Sequence, residues 1–416
     1  MANTTLTKTF GSAGNQKTWT WSGWIKRGNI TAGGGAGSQL IIFANYTSSS
    51  IRQYFSFNSD QFYTYGQYSG VDVIEATSIP VYRDTSAWYH IVIKCDTTQG
   101  TASDRFKVYV NGSEISLSFT TTPSLDVDLP INDNGNHYIG SSNGSANYFD
   151  GSMAMVQFVD GTALGPEYFG STDSTTGIWT PQASSTISSY GTNGFKLKMD
   201  TATPGADTSG NTNTFTVGTG TPTLTQGSPS NVYATWNPLS ALTTPPTFSN
   251  GNTTAALPTS GGAFRSTLAT SSGKWYCEVK VTTLENFAVG IQPIDSTYNV
   301  SIFADSSGIG LYGTNGEVYK NGSNIGAVAS VSNNDIIGMA IDLDNNNIYF
   351  SKNGQYASGI GGSWNQSFGS AYAVAINSGN TYTVAAVNGS SGTTSNVSIN
   401  FGEGFFGTTA AGTEAD

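Results

Sequence analysis

The chain has 416 residues, of which 12% are aromatic, 51 are glycine and only 10% are charged. Charge at less than half of the roughly 25% usual in globular domains removes the Lys, Glu and Arg that build helix surfaces, while the aromatic content excludes a disordered chain. The net charge of −11 is spread over both halves, which excludes a nucleic-acid partner, and no stretch reaches the ~18 apolar residues of a membrane span.

In chain order, the opening MANTTLTKTFGSAG has no apolar segment and predicts no signal peptide. Strand-like segments then recur about every ten residues: Thr18–Lys26, Gln39–Ala44, Gln53–Phe57, Trp88–Asp96, Arg105–Asn111, His137–Gly140, Met153–Asp160 and Phe195–Met199. In Trp88–Asp96, Tyr89, Ile91, Ile93 and Cys95 form one apolar row and the alternate residues a mixed one, the pattern of a strand with one buried side. Phe106, Val108 and Val110 repeat it, and Asn111-Gly112 predicts a type I′ hairpin turn. Gly165–Tyr168, with Pro166 near its start, predicts a single helical turn.

Residues 201–230 lose the apolar rhythm and become Gly/Thr/Pro/Ser-rich, the composition of a connection. The rhythm resumes in Trp275–Thr282, Phe287–Ile291, Gly308–Tyr312, Ile336–Asp342, Asn347–Ser351, Ala371–Ile376, Tyr382–Val387 and Val397–Phe401. Asn315-Gly316, Asn321-Gly322 and Asn353-Gly354 are further hairpin signals, and 406–416 reads as a polar tail. The expected architecture is all-β: two tandem antiparallel β-sandwiches at 1–200 and 231–405, joined by a 201–230 linker.

Cys95 and Cys277 lie inside apolar runs and read as buried thiols, with no disulfide framework or zinc cluster. The two histidines, His90 and His137, both sit on strand-like segments of the first half, so a His-dependent mechanism is excluded from the second. The nearest carboxylate pairs, Asp126/Asp128 and Asp342/Asp344, lack the spacing of a glycosidase and read as turn-holders in the second case. No catalytic residue or cofactor is assigned, and no enzyme is expected. Stacking aromatics with polar neighbours suit a sugar ligand. Those in expected loops are Tyr63, Tyr65 and Tyr68 of QFYTYGQYSG, Tyr312, Tyr319, and Trp364 of GGSWNQ. The other reading of each is a ring that covers a sandwich edge or packs against a neighbouring subunit.

Residues 87–112 (AWYHIVIKCDTTQGTASDRFKVYVNG), WTWSGWIKR at 19–27 and FDGSMAMVQFVDGTALGPEYFG at 149–170 resemble, in order, a concanavalin A-like domain of the laminin-G-like type, a jelly roll, over residues 1–200. GKWYCEVKV (273–281), AVGI (288–291), GLYGTNGEVYKNG (310–322) and NDIIGMAIDLDNNNIYFSKNG (334–354) resemble a SPRY domain over 231–402. The DTTQ-TASDR insert and the bridge from Ser209–Asn213 to Thr235–Leu239 look like forms found in bacteriophage fibre and head-associated proteins.

The resemblance implies a non-enzymatic virion protein. It would be an exterior fibre or appendage that attaches to host-surface glycan or protein and assembles with itself and other virion proteins as a homo-oligomer. The rival implication is head decoration or a tail connector, and a third is a polysaccharide depolymerase. Laminin-G-like relatives also imply a calcium ion at the sandwich rim, with Asp133 the first candidate, although Asp-Asn-Gly runs equally make ordinary turns. Those phage relatives continue past the segment matching Asn400–Ala410 into a tyrosine-rich stretch, so the resemblance implies a C-terminal assembly element that is either missing here or supplied by another chain.

Overall fold

The computed structural model describes residues 3–30, 39–182, 187–240, 245–258, 262–296, 303, 308–388 and 394–411. The chain forms two compact units, 1–224 with 228–232, and 225–227 with 233–416. Each is a sandwich of antiparallel sheets.

In the first unit one sheet orders its strands Leu117–Thr121, Val71–Ser78, Gln61–Tyr68, Ile51–Asn58, Leu40–Ser48, Asn136–Ile139, Thr5–Thr9 and Thr216–Thr219. The other runs Phe195–Leu197, Gly151–Asp160, Thr18–Arg27, Trp88–Asp96, Phe106–Val110 and Ser113–Glu114. Alternation turns Trp19 and Trp21 inward from one sheet to meet Phe55 and Phe43 from the other, with ring centroids 5.9 and 6.0 Å apart. Arg27 is 1% exposed in this sandwich. Its guanidinium donates to the carbonyls of Tyr82, Ser59 and Asn29 and lies 4.2 Å from the Phe57 ring. Burial lowers its pKa to about 10.

The outer face of the second sheet carries its own layer. Val92 and Val159 are covered there by Phe169 and Tyr190. The expected helical turn is a 3-10 turn, Pro166–Tyr168, with Pro166 at its start. A two-stranded ribbon, Gly170–Thr172 with Trp179–Pro181, completes the layer.

The second unit pairs a sheet of nine described strands with one of six. Lys274–Thr283 lies between Asn396–Asn400 and Ile336–Asp342 in the larger, and Tyr382–Asn388 lies between Gly262–Thr270 and Phe287–Pro293 in the smaller. Cys277, Val279, Phe264 and Val289 share the core between them. Both cysteines are free and buried, and burial raises both thiol pKa values.

Several boundaries differ from the sequence expectation. Residues 201–219 belong to the first unit rather than to a connection. Phe215 is buried against Phe195 at 4.7 Å, Asn211 and Asn213 donate to backbone carbonyls of 191–194, and Thr216–Thr219 pairs with Thr5–Thr9. Phe406, placed at the head of the polar tail, is buried, and Phe405–Phe406 pairs with Thr409–Ala410; residues 412–416 lie outside the described part. Only Val374–Ala375 of Ala371–Ile376 is a strand. Asn111-Gly112, Asn321-Gly322 and Asn353-Gly354 have the paired positive φ of a type I′ turn. Asn315 does not, because the connection there is four residues long, with Gly316 donating to Tyr312.

Candidate functional site

Three tyrosines converge on the outer face of the first unit's larger sheet. Along Ile51–Asn58, Phe55 and Phe57 enter the core, which leaves Arg52 and Tyr54 on the opposite side. On the next strand Phe62 points inward, so Tyr63, Tyr65 and Gln67 point outward. The register sets Tyr54 opposite Tyr65 and Tyr65 opposite Glu75, and sets Arg52 opposite Gln67 and Gln67 opposite Asp72. The Tyr54 ring is 5.7 Å from Tyr65 and 6.2 Å from Tyr63. All three are half-buried.

Polar groups frame these rings. The Tyr63 phenol donates to Glu75 Oε1 (2.9 Å) and the Tyr65 phenol to Asp72 Oδ1 (2.6 Å), which also accepts from Gln67 Nε2 (3.1 Å). The Arg52 guanidinium stands 5.6 Å from the Tyr65 ring centre. Burial pushes Tyr54 up to about 12. Burial first, and the carboxylate bond second, also raise Tyr63 and Tyr65, so the phenols stay protonated as donors at neutral pH. The arrangement is a ring-lined surface with hydrogen-bonding groups at its edge, able to stack on a flat apolar ligand face and bond its hydroxyls.

Tyr63 and Tyr65 were expected in a loop, and the structure places them on a strand. Tyr68 ends that strand at the Ser69-Gly70 turn and makes no ring contact with the three. Tyr312 and Tyr319 also lie on strands. Their rings are 5.0 Å apart and pack on a small core of Ala263, Ala288, Phe303, Ala385 and Val387. Trp364 lies on the strand Trp364–Gln366, packs on the main core and donates its indole N–H to the Ala329 carbonyl at 2.7 Å. These three serve packing. Tyr54, Arg52, Asp72 and Glu75 escaped the sequence reading. The Arg52/Tyr54 against Phe55/Phe57 alternation was a usable signal for the first two, whereas the carboxylates are identified only by register.

Both histidines are structural. His90 stacks on Trp24 at 4.6 Å, its Nδ1 accepts from the Trp179 indole at 2.9 Å, and its Nε2 therefore donates to Ser22 Oγ at 2.9 Å. His137 Nε2 accepts from the Asn132 amide, so Nδ1 donates to the Gly135 carbonyl. Burial lowers His90 to about 3 and His137 to about 4. Asp342 accepts from both the amide and side chain of Asn345, and Asp344 from the Gly273 amide, so this pair holds its turns. Asp126 sits at a positive φ beside Lys17.

Asp133, the first calcium candidate, is largely enclosed: it is 8% exposed and accepts from the Thr47 hydroxyl at 2.9 Å. Among the described residues no three His, Cys, Asp or Glu side chains come together. A polar cleft of about 200 Å³ opens beside the DTTQ-TASDR insert, lined by Lys94, Asp96, Gln99, Asp104, Lys107 and Ala163. It has no ring to stack on a sugar. No described helix is long and apolar enough to cross a membrane.

Residues 3–167 match the concanavalin A-like lectin/glucanases superfamily, and residues 274–391 match the SPRY domain. Among solved structures, the SPRY domain of human HERC1 is 16% identical, with 39% of this chain and 96% of that one covered and a TM-score of 0.31. The TRIM65 PSpry domain is 15% identical, with 40% and 92% covered and a TM-score of 0.31. A human SPRY domain is 14% identical, with 36% and 91% covered and a TM-score of 0.26. No curated protein matches the chain.

Proposed function

We propose that this chain, a concanavalin A-like domain followed by a SPRY domain, is a non-enzymatic component of a bacteriophage particle. In this reading it is an exterior fibre or appendage that holds the host surface through glycan. The observation that carries the binding role is the convergence of Tyr54, Tyr63 and Tyr65 on one sheet face, framed by Asp72, Glu75 and Arg52. Rings of this kind stack on the C–H faces of pyranoses, while the framing groups exchange hydrogen bonds with hydroxyls. The buried, fully bonded histidines support adhesion rather than bond cleavage. The virion setting rests on the resemblance of the insert and bridge. Binding of the purified chain to a glycan array, lost in a Tyr54→Ala/Tyr65→Ala double variant that still folds, tests the reading. An intact chain that binds no glycan refutes it.

A second reading, head decoration or a tail connector, is favoured by one observation. Phe368 is 54% exposed and lies 5.1 Å from Tyr349 and 5.3 Å from Tyr356, an apolar cluster suited to a protein partner, another virion protein or a second copy. Labelling the chain on intact particles separates the two. A distal tip supports adhesion, and a position between capsomers or at the tail neck supports a connecting role.

A further inference from the structure

We infer that the tyrosine face of the first unit selects hydroxyl-rich glycans that carry no carboxylate, sulfate or phosphate, and rejects their acidic counterparts. This rests on the glycan reading above and adds the class of sugar.

The inference follows from which way the hydrogen bonds run. The Tyr63 and Tyr65 phenols and one N–H of Gln67 are spent on Glu75 and Asp72. Each bonded carboxylate oxygen belongs to a group whose other oxygen still accepts, and the Tyr63 phenol oxygen keeps a lone pair, whereas that of Tyr65 accepts from the Arg52 guanidinium, which spends one of its donors there. The edge of the ring surface is therefore rich in acceptors. A sugar hydroxyl meets it as a donor. An anionic substituent offers acceptors only and brings a like charge.

The charges agree. Across the sheet, Arg52, Gln67 and Asp72 form one row, in which the cation and the anion balance. Glu75, in the next row opposite Tyr65, leaves the face net negative. The Arg52 guanidinium is drawn onto the Tyr65 ring, so it stands at one end of the rings. The chain's net charge of −11 adds a long-range field of the same sign.

The test uses the full chain against a panel that pairs each neutral oligosaccharide with its sialylated, sulfated or phosphorylated form at physiological salt. The neutral member binds, and the acidic member binds at least tenfold more weakly. An Asp72→Asn/Glu75→Gln variant, which preserves side-chain shape, narrows the gap to threefold or less. Equal or tighter binding of the acidic members, or a gap unchanged in the variant, overturns the selection while the glycan reading survives. An intact chain that binds neither member removes both.

Discussion

Trp179 and His90 stand 89 residues apart in the chain, and the indole N–H of the first donates to Nδ1 of the second at 2.9 Å. The bond fastens the ribbon of the first unit's outer layer to its sheet. Two glycines make room for the indole, since a Cβ at Gly112 or Gly170 would meet it at 2.7 and 2.6 Å. Trp179→Phe retains a six-membered aromatic ring but removes the N–H donor with the rest of the indole, leaving a buried acceptor unpaired. A loss of about 1–3 kcal/mol in urea denaturation is expected. An unchanged midpoint would show that the bond does not hold the ribbon.

Acid should unfold the first unit through its histidines. Both are folded as neutral rings, with pKa values lowered by burial to about 3 and about 4 from 6.5. A lowered folded value means that the stabilisation is complete above about pH 6.5. It is lost as pH falls from there towards 3, because the unfolded chain takes up the protons first. Thermal melts from pH 7 to pH 4 should show a falling midpoint, and the fall should be shallower in His90→Gln. Parallel slopes for the two proteins would remove His90 from the account.

Arg27 ties three backbone carbonyls together from inside the first sandwich. Arg27→Ala opens a cavity and strands those acceptors, for an expected cost of about 3–5 kcal/mol. Arg27→Lys retains the charge but not the planar fork and should recover only part of the loss. Equilibrium unfolding of the three proteins checks the order.

In the second unit the Phe303 ring rests on Gly310, where a Cβ would meet ring carbons at 2.4 Å. Gly310→Ala should cost about 1–3 kcal/mol through overpacking. Gly100→Ala, at an open position with nothing within 4 Å, should stay within about 0.5 kcal/mol of the parent. Similar melting temperatures for both variants would mean that Phe303 yields without cost.

Strands with an unbroken apolar row are legible in the amino-acid order alone. Trp88–Asp96 and Ile336–Asp342 begin and end as expected, because the rows Tyr89, Ile91, Ile93, Cys95 and Ile337, Met339, Ile341 that face the cores encode both the strand and its buried side. Gln61–Tyr68 is not legible in this way. Its inward row holds Thr64 and Gly66 beside Phe62, and its outward row holds the tyrosines, so the hydrophobic contrast is inverted. Thr216–Thr219 is wholly exposed and gains its strand identity only from Thr5–Thr9, more than two hundred residues earlier.

By itself, then, the sequence determined the all-β class and the type I′ turns at Asn111-Gly112, Asn321-Gly322 and Asn353-Gly354, since each is written in local periodicity or adjacent residues, while the tandem order of the two families was carried by the resemblance of its motifs. Tertiary structure alone decided which aromatics meet. Register carries Tyr54 to Tyr65 and Tyr65 to Glu75, and packing draws Tyr312, Tyr319 and Trp364 into walls. Cross-strand neighbours are chosen by the pairing of distant segments, a quantity that no short stretch of chain contains.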